Sequence, residues 1–153
     1  MRIAMGEVKV KHLKNLQQQV ITEEHSFISD EPVKLKGDGL GPNPYDLLLA
    51  ALGSCTSMTL KIYARHKGIP LDSVEVNLSY KRIYDKDCQD CADNDKFLHK
   101  ITNKIKLIGD LTDEQRRHML LIAQKCPVYK TLTSRLEVND VLDEEQPLAL
   151  DED

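Results

Sequence analysis

One run constrains this chain more than any other: "GPNPYDLLLAALGSCTSMTLKIYARHKGIP", Gly41 to Pro70. Asn43 suits an N-cap, Pro44 suits the first helical position, and Asp46 falls where a carboxylate meets free backbone N–H groups. At the far end Arg65, His66 and Lys67 complement the negative end of the dipole. Gly68 supplies a left-handed stop, and Pro70 prevents continuation. From Leu47 to Leu60 nearly every face is apolar or small. A helix of that kind is expected to be buried on all sides. A chain of 153 residues has few layers with which to wrap it, which points to a second copy. Cys55 sits in the most apolar part. It reads either as a small core residue, as free cysteines usually are, or as a reactive thiol held in a dry pocket.

The remaining segments supply strands and one more helix. "GEVKVKH" alternates Val8 and Val10 with charged neighbours, as a half-buried strand does. Residues 13–16 fit a turn, and residues 17–29 resume extended structure. Residues 30–43 collect Gly, Pro and Asp and read as a loop; without a Gly-Lys-Ser/Thr ending they make no phosphate loop. "SVEVNLSYKRIY" and "KFLHKITNKIKLIG" both alternate and predict a long antiparallel hairpin, with the polar segment containing Cys88 and Cys91 as its tip. "LTDEQRRHMLLIAQKCP" predicts a helix capped by Thr112 and Gln115 and stopped by Pro127, with Cys126 at its C-terminal edge. "SRLEVNDVL" predicts a last strand. The sum is one α+β domain over residues 1–142 and an acidic, frayed tail at 143–153.

Charge and composition exclude some functions. The formal net charge is −4, and no basic block interleaves with aromatics, so a nucleic-acid partner is not expected. "MRIAMGEVKVKHLK" does not read as a secretory signal, and the long helix loses its apolar character at Lys61, so no membrane span is expected either. The expected location is the cytoplasm, where the four cysteines are thiols, metal ligands or catalytic groups rather than a disulfide framework. No cofactor is expected. Cys88 and Cys91, flanked by Asp87, Asp90 and Asp93, offer two close thiols plus His99. Structural zinc wants four ligands, so a metal site here needs two copies. A polar loop and a redox dithiol are the other readings of that segment.

Two segments carry a resemblance. "GPNPYDLLLAALGSCTSMTLKIYARHKG" resembles the cysteine-bearing helix of the OsmC/Ohr superfamily. "GDLTDEQRRHMLLIAQKCPVYKTLTSRLEV" resembles its second helix, with the Cys-Pro ending and the strand that follows. "DCQDC" places the chain closest to the OsmC-like subgroup. The resemblance covers roughly residues 38–138. It implies an α+β fold of the OsmC-like type, an intertwined homodimer with two long central helices wrapped by antiparallel sheets. It also implies reduction of organic or hydrogen peroxides in oxidative-stress defence. Cys55 would attack the hydroperoxide, Cys126 would resolve, and an external dithiol would act as reductant. The superfamily peroxidases use an N-terminal arginine and a glutamate two residues after the helix-opening asparagine. Here Tyr45 stands at the glutamate position, beside Asp46, and Arg2 is the only arginine in the first 64 residues. Arg65, Arg82 and Arg135 are conceivable substitutes, and Tyr45 and Tyr129 could line a pocket near a thiol. Two rivals stay open: a non-enzymatic dimer that binds a small apolar or thiol ligand, and a metal-binding module built on Cys88 and Cys91.

Overall fold

The computed structural model describes residues 6–84 and 97–143. Three short strands come first: β1 (Lys9–His12), β2 (Gln18–Ile21) and β3 (Ser26–Ser29), forming an antiparallel sheet in the order β1-β2-β3. A loop with a 3-10 turn at Val33–Leu35 leads into α1 (Pro44–Lys67). β4 (Leu71–Tyr84) and β5 (Phe97–Gly109) then pair as a long antiparallel hairpin, and α2 (Asp113–Ala123) and α3 (Pro127–Thr133) follow.

The ends of α1 form as its sequence requires. Asn43 accepts from the Asp46 N–H, and the Asp46 carboxylate accepts from the Asn43 N–H, a complete capping box. Gly68 stops the helix in the left-handed conformation at φ 65°. Thr112 and Gln115 cap α2 in the same reciprocal way. The core lies where α1 meets the base of the hairpin and α2: Leu60, Ala64, Leu71, Leu111, Met119, Ile122 and Ala123. Further along α1, Gly53 lets the hairpin approach. A Cβ there would lie 2.6 Å from Leu78 Cδ1 and 3.2 Å from Val76 Cγ2. Lys61 ties helix to strand by donating to the carbonyls of Leu71 (2.7 Å) and Asp72 (3.1 Å).

Several expectations are corrected. Within this chain α1 is buried along one stripe only, Leu52, Gly53, Thr56, Leu60 and Ala64. Met58 and Ile62 are 63% and 65% exposed, because one hairpin and two short helices cover one side of a helix and no more. By length and composition α1 would also suffice to cross a membrane, which the sequence reading at Lys61 denied; its packing is that of a core helix, with buried neighbours from β4 and α2. Val8 and Val10 are exposed rather than half-buried, since nothing among the described residues covers them. Pro127 does not merely stop α2. It opens α3, where a residue without an N–H fits the first helical position. The expected strand over 134–142 is not formed: a strand needs an edge to pair with, and Leu136 and Val138 lie exposed beside none among the described residues. The hairpin tip with Cys88, Cys91, Asp87, Asp90 and Asp93, Arg2, and the tail from residue 144 lie outside the described residues.

The loop before α1 is organised by one carboxylate. Asp30 is 2% exposed, and accepts from the backbone N–H groups of Glu31 (2.8 Å), Asp38 (3.1 Å) and Leu40 (3.2 Å). Gly37 and Gly41 pass so close to the carbonyls of Glu31 and Ile28 that a side chain on either would collide with backbone. This loop fixes where α1 begins. Asp30→Ala strands three donors and is expected to lower unfolding free energy by about 2–3 kcal/mol in urea titration. Gly53→Val overpacks the helix–hairpin contact and is expected to cost about 1–3 kcal/mol by the same measurement.

Candidate functional site

α1 and the α2–α3 junction bring two thiols together. After α2 the chain turns tightly: the Lys125 N–H donates to Ile122 (2.9 Å) and the Cys126 N–H to Ala123 (3.3 Å). Cys126 is then fully buried, 0% exposed, and is the N-cap of α3. Its Sγ accepts from the Tyr129 N–H at 3.5 Å, and its carbonyl accepts from the Lys130 N–H at 3.1 Å. Cys55, half-buried on α1, has the Cys126 thiol close enough to act on its ionisation. Thr59, one turn further along α1, and the backbone N–H of Val128 also reach its sulfur. Both cysteines are free thiols.

The electrostatics hold the proton on Cys55. Burial pushes its pKa above the ordinary thiol value, and the hydrogen bond with Cys126 pushes it the same way. The Val128 N–H and the Thr59 hydroxyl favour the thiolate, without reversing the shift. No arginine is among the described groups acting on that sulfur. The three candidates are engaged or placed elsewhere: Arg65 in the last turn of α1, Arg82 over the Phe97 ring at 4.5 Å, and Arg135 exposed beyond α3.

Two hollows lie beside the elements that carry the thiols, and neither cysteine is among their lining residues. The larger, about 750 Å³, lies between α1, β5, α2 and α3, with Leu52, Ile101, Ile105 and Leu132 among its apolar lining and Tyr129 at one side. At one wall the Thr56 hydroxyl donates to Leu52 O (2.9 Å) and accepts from Asn103 Nδ2 (3.2 Å), which leaves Asn103 Oδ1 buried without a partner. The smaller, about 340 Å³, is bounded by Thr59, Ile62, Ile122, Lys125 and Pro127, and so opens beside both cysteine-bearing elements.

Other sequence candidates fall elsewhere. Tyr45 stacks on Tyr80 (centroids 4.6 Å apart), and Tyr80 in turn stacks on His99, its hydroxyl 2.6 Å from His99 Nδ1. His66 sits in the last turn of α1, as a dipole role requires. Among the described residues no cluster of three or more His, Cys, Asp or Glu could hold a metal. The sequence reading did not single out Thr59 or Val128. Thr59 was within reach of it, four residues after Cys55 and therefore on the same helix face; the Val128 N–H was not, because it depends on α3.

If only these groups act on it, Cys55 is protonated at pH 7. Its rate of alkylation by iodoacetamide, followed by mass spectrometry of the Cys55 peptide, is then expected to rise only above the ordinary thiol range. An inflection below about pH 8 would show that a cation from elsewhere reaches the sulfur.

Residues 37–139 match the profile of a family described as OsmC-like protein. No curated protein matches the sequence. Among solved structures, the organic hydroperoxide resistance protein OsmC of Legionella pneumophila is 17% identical, with 87% of this chain and 92% of that one covered and a TM-score of 0.66. The OsmC-like protein of Mycoplasma pneumoniae is 16% identical over 86% and 89%, with a TM-score of 0.68. The organic hydroperoxide resistance protein OhrB of Bacillus subtilis is 18% identical over 86% and 93%, with a TM-score of 0.61. At these identities the likeness is one of fold: an α+β chain with antiparallel sheets.

Proposed function

The chain belongs to the OsmC-like family, and from that premise we propose that it is a thiol-dependent hydroperoxide reductase of oxidative-stress defence, working in the cytoplasm as a homodimer. The observation that carries the reading is the contact between Cys55 and Cys126, brought together from distant parts of the chain and both reduced. The names of the structural neighbours in Legionella and Bacillus, organic hydroperoxide resistance proteins, support it.

The chemistry balances with these two groups. The Cys55 thiolate attacks the terminal oxygen of R–O–O–H, the O–O bond breaks, and the alkoxide leaves as R–OH after taking a proton. Cys55 is then a sulfenic acid. Cys126 attacks its sulfur, the S–O bond breaks, and water leaves as the disulfide forms. An external dithiol returns two electrons and two protons. The buried position of Cys126 next to Cys55 suits a resolving thiol, which must meet the sulfenic acid before further oxidant does. The groups around Cys55 favour its neutral form, so the attack needs positive charge from beyond the described residues. Two sources are available: the N-terminal segment that carries Arg2, and a second copy. The exposed Met58–Ile62 face of α1 is where a second copy would bury apolar surface. Residues 1–142 act in this reading as one domain, with the acidic stretch 143–153 outside the chemistry.

A second reading rests on one observation. The raised thiol pKa of Cys55 suits a family member that binds a small apolar or thiol ligand in the flanking hollows without turnover. The test is consumption of cumene hydroperoxide and of hydrogen peroxide with dithiothreitol as reductant. Wild type is expected to turn over. Cys55→Ser is expected to fall by at least about a thousandfold, as the loss of a nucleophile does. Cys126→Ser is expected to accumulate a sulfenic acid that dimedone traps. Wild-type consumption equal to that of Cys55→Ser would remove the enzyme and leave the binding reading. The proposed homodimer predicts twice the chain mass in light scattering.

A further inference from the structure

We propose that joining Cys55 to Cys126 uncaps α3 and releases it, so that the redox state of the pair is expressed in the backbone from Pro127 to Thr133. The inference rests on the dithiol reading above, but concerns what the bond does to the fold rather than which oxidant makes it.

The first turn of a helix has N–H groups with no partner in the helix, and something outside must accept them. In α3 one of them has a hydrogen-bond partner outside the helix backbone. Pro127, at the first position, has no N–H. The Val128 N–H lies near the Cys55 sulfur and favours its thiolate. The Tyr129 N–H goes to the Cys126 sulfur at 3.5 Å. The Lys130 N–H makes the first bond of the helix itself, to the Cys126 carbonyl at 3.1 Å. The external acceptor hydrogen-bonded to the first turn of α3 is therefore the Cys126 thiol, and the sulfur near its other free N–H is that of Cys55. The remaining supports are slight. α3 has seven residues and none of them is buried; it is followed by 134–143, exposed and without regular structure.

A disulfide cannot keep this arrangement. The two sulfurs must come to about 2.05 Å with a Cβ–S–S–Cβ torsion near 90° in magnitude. The Cys126 Sγ must then turn from the Tyr129 N–H toward Cys55. Each sulfur also loses the proton or charge that made it a thiol or thiolate, and a disulfide sulfur is the poorer acceptor. The Tyr129 N–H at the start of a marginal helix is left to water, and the Val128 N–H loses the thiolate it favours. Two protons and two electrons leave the thiols. A hydroperoxide accepts them in the proposed reaction, becoming alcohol and water; diamide accepts them in the test, becoming the hydrazine. Released, α3 would uncover Cys126, which is fully buried in the reduced protein and out of reach of any external dithiol.

The experiment uses the full chain with Cys88 and Cys91 replaced by Ser, so that Cys55 and Cys126 are the only thiols. Hydrogen exchange of the peptide covering 127–133 is followed by mass spectrometry in the reduced protein and after diamide, with the bond confirmed by non-reducing peptide mapping. Oxidation is expected to speed exchange there by about fivefold or more, the effect of losing one helix cap. Reduced Cys126→Ala should exchange like the oxidised protein. Reduced Cys126→Ser, which restores an N-cap acceptor, should stay protected. Unchanged exchange in the disulfide form, or equal exchange in the Ala and Ser variants, overturns the proposal, and so does a diamide reaction that cannot join the two thiols. Failure of the peroxidase reading looks different: diamide forms the bond and opens α3, yet no hydroperoxide is consumed.

Discussion

The structure depends on the surface of α1 being more apolar than the described residues cover. The hairpin, α2 and α3 all gather on one stripe of that helix, and the core follows its lower half through Leu60 and Ala64. The close approach at Gly53 sets how near the hairpin lies, and so the shape of the hollow above Thr56 and Asn103. The opposite stripe, with Met58 and Ile62, meets water. The same imbalance appears where the chain leaves the core: Val8 and Val10 at β1, and Leu136 and Val138 after α3, alternate as half-buried strand residues do but lie exposed among the described residues. Three separate segments thus expose apolar residues that the other described residues leave uncovered, which is the physical support for the proposed second copy.

What the sequence revealed follows from the range of the forces involved. Caps and stops are local, and both capping boxes, the proline at the first position of α1 and the glycine at its end were legible residue by residue. The hairpin was legible because alternation survives over thirteen residues or more on each strand. Burial was not, since it depends on which neighbours exist. A fully apolar helix and an alternating strand carry the same letters whether their partner is in the same chain or another. α3 was missed for a different reason. Cys-Pro reads equally as the end of one helix and the beginning of the next, and only the Tyr129 N–H on the Cys126 sulfur decides between them.

The thiol pair was legible as two matched motifs, but its chemistry was not. The family-like signal placed Cys55 and Cys126 in the right order, and the folded chain sets them in contact. The residues that would ionise Cys55 are another matter. Tyr45, at the position of the peroxidases' glutamate, is occupied by stacking on Tyr80, in a ladder that continues to His99. It stands about three helical turns from Cys55 along α1. A side chain there cannot act on the thiol of its own helix; it could act only on something brought alongside α1 from another part of the assembly.

That leaves Cys55 with a conflict between packing and reactivity, and the surroundings of α3 bear on it. A dry site protects a sulfenic acid from further oxidation but keeps the thiol protonated. The Val128 N–H and the Thr59 hydroxyl are the described donors that favour the thiolate, and the first of them exists only while α3 is folded. The helix that helps to activate Cys55 is therefore the helix whose cap is Cys126. In the proposed reaction both thiols depend on one short element, so that the attacking state and the folded state of α3 would favour each other. Once the two sulfurs are bonded, that mutual support is gone. In the proposed cycle the loss opens the Cys126 side of the disulfide, which is fully buried in the reduced protein, to a dithiol as well as the half-buried Cys55 side. A site made this way needs little extra machinery to alternate between closed for oxidation and open for reduction, and the shortness of α3 is what makes the alternation small enough to be reversible.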